Sequence, residues 1–230
     1  MIVYGINPVR EALRGPRRVA RVWAIARVAG ADWLRGTPLE VVEAGEVEAR
    51  CASDAHQGVC AEVEAYRYAE PAAVLAGEAP LVVALDEVTD PQNLGAICRT
   101  AEVAGASGVV IGQRRSAEVT PAVCKASSGA VEHLAVARVR NLADFLADAK
   151  AAGCWCYGAD ATATVPYDRP DFTGGVVVVL GAEGRGLRPR VAAACDELLS
   201  IPRRGRVDSL NVGAAAAVLV YEILQRRERG

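Results

Sequence analysis

No run of the roughly 18 apolar residues that a membrane span needs occurs in this chain. Its longest uninterrupted apolar stretches, Val176 to Leu180 and Ala214 to Tyr221, fall well short. The chain opens with no charged-then-apolar signal segment, so a cytoplasmic protein with no membrane contact is expected. Histidine is scarce. The two present, His56 and His133, lie in different segments, and the one close cysteine pair, Cys154 and Cys156, has no second pair at ligand spacing, so no metal site is expected. Seven cysteines, an odd number scattered from Cys51 to Cys195, do not make a disulfide framework and are expected to be reduced core residues. No G-x-S-x-G elbow is present, and Ser127 and Ser128, read as part of a helix, have no nearby histidine, which argues against a serine hydrolase. Gly181, Gly184 and Gly186 follow a strand, but their G-x-x-G-x-G order and late position leave no room for a full dinucleotide-binding unit. There is no internal repeat.

What remains is the composition of a globular chain. Of 230 residues, 52% are apolar and 23% charged, and the mean hydropathy is +0.17, enough to bury a core. That length suits one ordinary domain with a small companion. The stretch from Glu70 to Pro80, with Pro71, Gly77 and Pro80, breaks periodicity and is read as a linker at 70–80 between a module at 1–69 and a domain at 81–230. After it, apolar runs of strand length alternate with amphipathic segments. Strands are expected at Leu81–Leu85, Gly108–Ile111, Leu134–Val139, Cys154–Gly158, Val176–Leu180 and Leu198–Ile201. Helices are expected at Leu94–Ala104, Leu142–Ala152 and Leu210–Gln225. This pattern is α/β with a mainly parallel sheet flanked by helices. The first module reads as compact α/β, with a helix at Pro8–Arg14 and strands at Val22–Ala26 and Val59–Val63.

The formal net charge of -2 hides an uneven distribution. Residues 1–35 carry seven arginines against Glu11 and Asp32, whereas 36–70 carry two arginines against eight acids. Arg203, Arg204 and Arg206 cluster at a turn around Gly205, where they would suit phosphate contacts; a solvated basic surface explains them equally well.

Three segments follow predicted strands, at the carboxyl edge where open parallel sheets place ligands. The first runs from Asp90 to Ala101 and opens a helix near Asn93, with Arg99 about two turns in; capping by Asn93 and a solvated arginine is its plain structural reading. The second, Leu180 to Leu187, is rich in small residues that admit close backbone approach, or simply a tight turn. The third runs from Ile201 through Pro202 to Ser209, Leu210, Asn211 and Val212 and opens an alanine-rich helix that Asp208 or Ser209 could cap.

Together, N-x-G-x-x-x-R-T-A at Asn93–Ala101, G-A-E-G-x-G-L at Gly181–Leu187, and I-P with S-L-N-V at Ile201–Pro202 and Ser209–Val212 resemble the three motifs of the SPOUT-class TrmH family of RNA ribose 2′-O-methyltransferases. The resemblance covers Leu81 to Arg227. The N-terminal module is similar to the RNA-recognition module of the 23S rRNA guanosine 2′-O-methyltransferases, through Tyr4, Gly5, Asn7, Pro8, Val9, Ala12, Leu13 and His56–Gly58. The resemblance implies a SPOUT fold with a C-terminal deep trefoil knot, an L30e-like N-terminal module and a homodimer. It implies S-adenosylmethionine held by backbone groups at Gly181, Ile201 and Leu210. It further implies methyl transfer to a ribose 2′-hydroxyl of 23S rRNA, with Arg99, Asn93, Glu183, Ser209 and Asn211 as catalytic or positioning groups. Arginine ordinarily only donates, so Arg99 either passes a proton through the substrate phosphate or stabilises the forming alkoxide. RNA contacts are expected from Arg10, Arg14, Arg17, Arg18, Arg21, Lys125, Arg203, Arg204 and Arg206. Two other readings stand beside this one: a transfer-RNA methyltransferase of the same family, and an RNA-binding protein that keeps the fold without the chemistry.

Overall fold

The computed structural model describes residues 1–229. The N-terminal module holds β1 (Ile2–Tyr4), α1 (Ile6–Arg14), β2 (Val19–Ala24), α2 (Ala26–Ala29), β3 (Leu39–Val41), α3 (Ala44–Cys51) and β4 (Val59–Val63). Its sheet runs β1-β4-β2-β3, antiparallel except for the β2–β3 pair. The strand expected at Val22–Ala26 is displaced toward the N-terminus. Val19 and Arg21 extend the ladder with Val63 and Glu62, and Ala26 already begins α2.

The expected linker is itself folded and anchored. The Ala69 amide donates to the Val136 carbonyl (2.9 Å), and residues Pro71–Val74 form α4, whose Val74 is fully buried. Val74 sits over Gly108, where an added Cβ would lie 2.5 Å from Val74 Cγ1. A proline at the first helical position starts α4 without losing a hydrogen bond.

The larger domain contains β5 (Leu81–Asp86), α5 (Pro91–Val103), β6 (Gly108–Gly112), α6 (Pro121–Ala126), β7 (Val136–Val139), α7 (Leu142–Ala151), β8 (Cys154–Ala159), β9 (Val165–Pro166), β10 (Gly175–Gly181), α8 (Pro189–Ala194), β11 (Glu197–Ser200) and α9 (Val212–Arg229). Its seven strands are all parallel, in the order β7-β6-β5-β10-β8-β11-β9. Every residue of β5 is buried, as continuous apolar strands with covered faces require. Strand alternation sends Leu81, Val83 and Leu85 to one face and Val82 and Ala84 to the other, and Val176–Leu180 of β10 alternates in the same way. On the first face, α5 packs between α6 and α9. Gly95 lets α5 and α6 touch, because a Cβ there would overlap Ala126 Cβ.

Asp90, not Asn93, caps α5, accepting from the Gln92 amide (3.0 Å). Ser127 and Ser128 lie in the turn after α6, not inside a helix. The last helix begins at Val212, two residues later than expected, because Asn211 caps it. Near its far end Arg227 works as a clasp. Its guanidinium donates to the carbonyls of Phe172 (2.9 Å), Ala79 (2.9 Å) and Gly174 (2.6 Å), tying α9 to the starts of β5 and β10.

The two modules share one core. Val3, Val9 and Val22 belong to the same apolar cluster as Leu94, Val123 and Val178. Across this seam Arg17, expected on the RNA-facing surface, is instead 7% exposed. Its Nε donates to Glu132 Oε2 (2.9 Å), a second nitrogen pairs with Glu132 Oε1, and a third bond reaches the Glu64 carbonyl (2.8 Å). Burial opposes the charge of Arg17, but hydrogen bonding and the charge of Glu132 outweigh it and hold the guanidinium above its ordinary pKa. His133 and Glu11 meet at 3.1 Å beside this pair, and Tyr66 Oη donates to the Leu134 carbonyl (3.1 Å).

Glu132→Ala leaves Arg17 buried without its partner and should cost about 3–5 kcal/mol, read as a lower urea midpoint with both modules unfolding together. The cysteines are all free. Burial pushes the Cys98 and Cys156 thiols up to about 12 and the Cys124 thiol to about 11. Since only the thiolate reacts readily, these three should resist alkylation at pH 8 in the folded protein and label fully in denaturant, which mass spectrometry resolves by peptide.

Candidate active site

The carboxyl ends of β5, β10 and β11 lie along one edge of the sheet, with Gly181 of β10 registered against Asp86 of β5. Three distant side chains meet there. Asn93, in the first turn of α5 and 9% exposed, donates from Nδ2 to Glu183 Oε1 (3.2 Å). Asn211 Oδ1 caps α9 by accepting from the Gly213 amide (2.9 Å). Its Nδ2 donates to Asn93 Oδ1 (2.9 Å) and to Glu183 Oε1 (2.5 Å). The Val212 amide also points at Glu183 Oε1 (3.4 Å). Glu183 therefore sits on the N-terminus of an 18-residue helix, where the unpaired amides and the helix dipole favour a negative charge.

The loop carrying Glu183 is forced to be lean. A Cβ on Gly181 would overlap the Gly186 backbone, because the loop folds back on itself through the Gly186 amide to the Ala182 carbonyl (2.9 Å). Gly186 has φ +65°, a left-handed conformation that glycine adopts without penalty. The loop's exit is pinned by a pair that motif reading did not single out. Asp86 accepts from the Arg188 amide (2.8 Å) and from Arg188 Nε (2.7 Å). The hydrogen bond to Asp86 raises the Arg188 pKa against the opposing effect of burial. A carboxylate at the carboxyl end of a wholly buried strand was the available signal.

The remaining motif residues lie around this cluster and not inside it. Arg99, exposed on α5, donates from Nη1 to Ser128 Oγ (3.1 Å). Ser128 is held at φ +55° in the turn after α6. Ser209 and Leu210 are exposed on the loop before α9. Half-buried Ile201 lines a cavity of about 380 Å³ with Pro202, Gly205, Val207 and Asp208. Arg203 turns inward across that loop, donating to the carbonyls of Asp208 (2.5 Å) and Ala161 (3.0 Å), so it braces the cavity. Arg204 and Arg206 face solvent.

In the N-terminal module, Arg18 and Arg21 are exposed, while Arg14 and Arg10 engage Glu11 at 3.1 and 3.2 Å. Lys125 donates to Gln57 Oε1 (2.9 Å) and lies 5.9 Å from the centre of the Tyr4 ring, with burial lowering its pKa. It bridges the modules, as Arg17 does.

Two family models cover nearly the whole chain. The SpoU rRNA methylase family matches residues 80–221, and the RNA 2′-O ribose methyltransferase substrate-binding family matches residues 2–69. A TrmH family tRNA/rRNA methyltransferase of Bacillus subtilis, YacO, is 38% identical over 98% of this chain and 95% of its own length. Among solved structures, the SpoU methyltransferase AviRb of Streptomyces viridochromogenes, in complex with AdoMet, superposes with a TM-score of 0.85 at 25% identity, covering 100% of this chain and 91% of that one. An AdoMet-bound rRNA methyltransferase of Sinorhizobium meliloti gives 0.82 at 29% identity, over 97% and 86%. A TrmH/SpoU tRNA-modifying enzyme of A. aeolicus gives 0.59 at 26% identity and covers 69% of this chain and 81% of its own. Bearing both a SpoU methylase domain and the substrate-binding domain that precedes it, the chain belongs to the SpoU (TrmH) family of RNA methyltransferases.

Proposed function

We propose that this protein transfers the methyl group of S-adenosylmethionine to a ribose 2′-hydroxyl of 23S rRNA, at a guanosine, and does so as a homodimer with a C-terminal trefoil knot. The observation that carries the reading is the Asn93–Glu183–Asn211 cluster, which joins all three sequence motifs at the carboxyl edge of the sheet. Two further findings support it. Two of the similar proteins were solved with AdoMet bound. The rRNA enzyme matches 97% of the chain, whereas the tRNA-modifying one matches only 69%. The knot reading is supported by the strand order, in which β10 and β11 flank the earlier β8.

The loops fit such a cofactor. The turn at 181–187 holds its backbone tightly folded with glycines at three positions, and the cavity beside Ile201, lined also by Ser200, Pro202, Val207 and Asp208, is braced by Arg203. Backbone groups at Gly181, Ile201 and Leu210 would hold it. When bound, the cofactor supplies an electrophilic methyl on cationic sulfur. That methyl would pass to the 2′-oxygen with release of the neutral thioether S-adenosylhomocysteine, and the hydroxyl proton would go to the substrate phosphate or to solvent. Arginine keeps its own proton at neutral pH. Arg99 therefore either relays that proton through the substrate phosphate or stabilises the developing alkoxide by its fixed charge. Asn93, Glu183 and Asn211 orient the loops about the reacting atoms, and Ser209 lies next to them in the chain's last motif. Arg18, Arg21, Arg204 and Arg206 face solvent and are available for RNA phosphates, whereas Arg10 and Arg14 would exchange their pairing with Glu11 for such a contact.

The homodimer reading rests on exposed apolar side chains. Val103 on α5, Val207 and Leu210 on the loop before α9, and Tyr221 on α9 are 64%, 78%, 47% and 46% exposed. Light scattering on the purified protein should return twice the 24.1 kDa chain mass; a monomer at micromolar concentration contradicts the dimer.

The decisive assay is tritiated methyl transfer to total RNA from a strain lacking the enzyme. Label should enter 23S rRNA at an alkali-resistant dinucleotide, and Arg99→Ala should lower the rate by at least ~100-fold. A hundredfold excess of S-adenosylhomocysteine over its Kd should stabilise both proteins by about 2.7 kcal/mol, which separates loss of chemistry from loss of cofactor binding. Label in transfer RNA would retain the chemistry and replace the substrate with one that the tRNA/rRNA name of the Bacillus relative also includes.

A further inference from the structure

A second cavity, of about 240 Å³, opens on the same edge of the sheet, at the ends of β5 and β6. Its lining is strongly cationic: Arg114, Arg115, Arg140 and Arg188 face only Asp86 and Glu87. Asp86 is consumed by Arg188, and Glu87 is shared between Arg115 (3.4 Å) and Arg188 (3.6 Å). Arg114 and Arg140 are exposed and have no ion pair among the described residues. At the wall of the cavity, Ser116 Oγ is buried and has no hydrogen-bond partner. A buried hydroxyl without a partner destabilises the fold, so an uncompensated one in a cavity that also holds two unpaired guanidiniums marks a place where an acceptor is missing. The backbone around it is also held in an unusual state, with Glu87 at φ +58° and Arg115 at φ +55°. Non-glycine residues take that conformation at a cost, and such positions concentrate at binding sites.

We propose that this cavity is an anion subsite that takes a backbone phosphate of the RNA substrate, bound by the Arg114 and Arg140 guanidiniums and the Ser116 hydroxyl. The inference deepens the RNA methyltransferase reading and rests on it. Arg188 joins the subsite to the catalytic loop, since it directly follows the 181–187 turn that carries Glu183 and is locked to Asp86 at the end of β5. A phosphate seated here lies on the same carboxyl edge of the sheet as the Asn93–Glu183–Asn211 cluster, so it would fix the register of the strand presented to the reacting centre. Guanidiniums suit the task, because their planar forks match phosphate oxygens.

The test is the double variant Arg114→Ala/Arg140→Ala, with Ser116→Ala as a separate variant, binding deproteinised bacterial 23S rRNA without cofactor across a salt series. Both arginines lack protein partners, so the fold should survive their removal, and an unaltered melting midpoint and S-adenosylhomocysteine affinity would verify that. The subsite predicts that the double variant binds RNA about tenfold more weakly and that the slope of log K against log salt falls by about one. Ser116→Ala should weaken binding with the slope kept. An unchanged slope and affinity overturn the proposal. A melting midpoint raised by millimolar inorganic phosphate in the parent and not in the double variant, with RNA binding unaltered, overturns it too by assigning the cavity to a free anion. If the parent methylates no RNA yet the double variant loses RNA affinity and slope, the subsite stands and the catalytic reading falls.

Discussion

The position of β10 is the constraint on which the site depends. Inserted between β5 and β8 and buried along Val176–Leu180, it cannot shift without exposing the apolar centre of both faces. Parallel strands bury continuous apolar sequence, and the five apolar side chains Val176–Leu180 are each 0–1% exposed, so each adds its full burial to the core at about 25 cal/mol for each Å² removed from water. Its carboxyl end therefore fixes where the 181–187 loop leaves the sheet. Asp86, on the neighbouring strand, then pins that loop's exit through Arg188. Glu183 is placed by these two anchors, and Asn93 and Asn211 gather around it.

Asn211 shows how one side chain can serve both fold and site. Its Oδ1 starts α9, and its Nδ2 joins Glu183 to Asn93. The alanine-rich helix it opens runs back along the sheet to Arg227, whose guanidinium fastens the opposite edge. Cap and clasp thus hold the two ends of the same element. The N-terminal module is joined with comparable firmness. A buried Arg17–Glu132 pair and a shared apolar cluster make the seam part of the interior, so an RNA contact made by one module is presented at a fixed angle to the other.

Much of the larger domain was legible in residue order. The strand at Cys154 and the helix from Leu142 appear within a residue or so of their expected limits, because strong apolar periodicity dominates local alternatives. Boundaries set by single hydrogen bonds were less legible. Asp90 and Asn93 are both good cap residues, and only the observed path shows that Asp90 turns back to the Gln92 amide while Asn93 faces Glu183. The proline-containing segment at 70–80 looked like a linker, but Val74 finds a pocket above Gly108.

By itself the sequence determined the alternation of strands and helices, the absence of a membrane-length apolar helix, and the three motifs whose order marks the family, since each depends on residues near one another in the chain. Tertiary structure alone decided which arginines are free. Arg17 and Arg18 are adjacent and chemically identical, yet Arg17 is buried against Glu132 and Arg18 faces solvent. Charge is read from composition, but its availability depends on what packs over it, and Glu132 is brought to Arg17 across 115 residues only when the two modules close on one core.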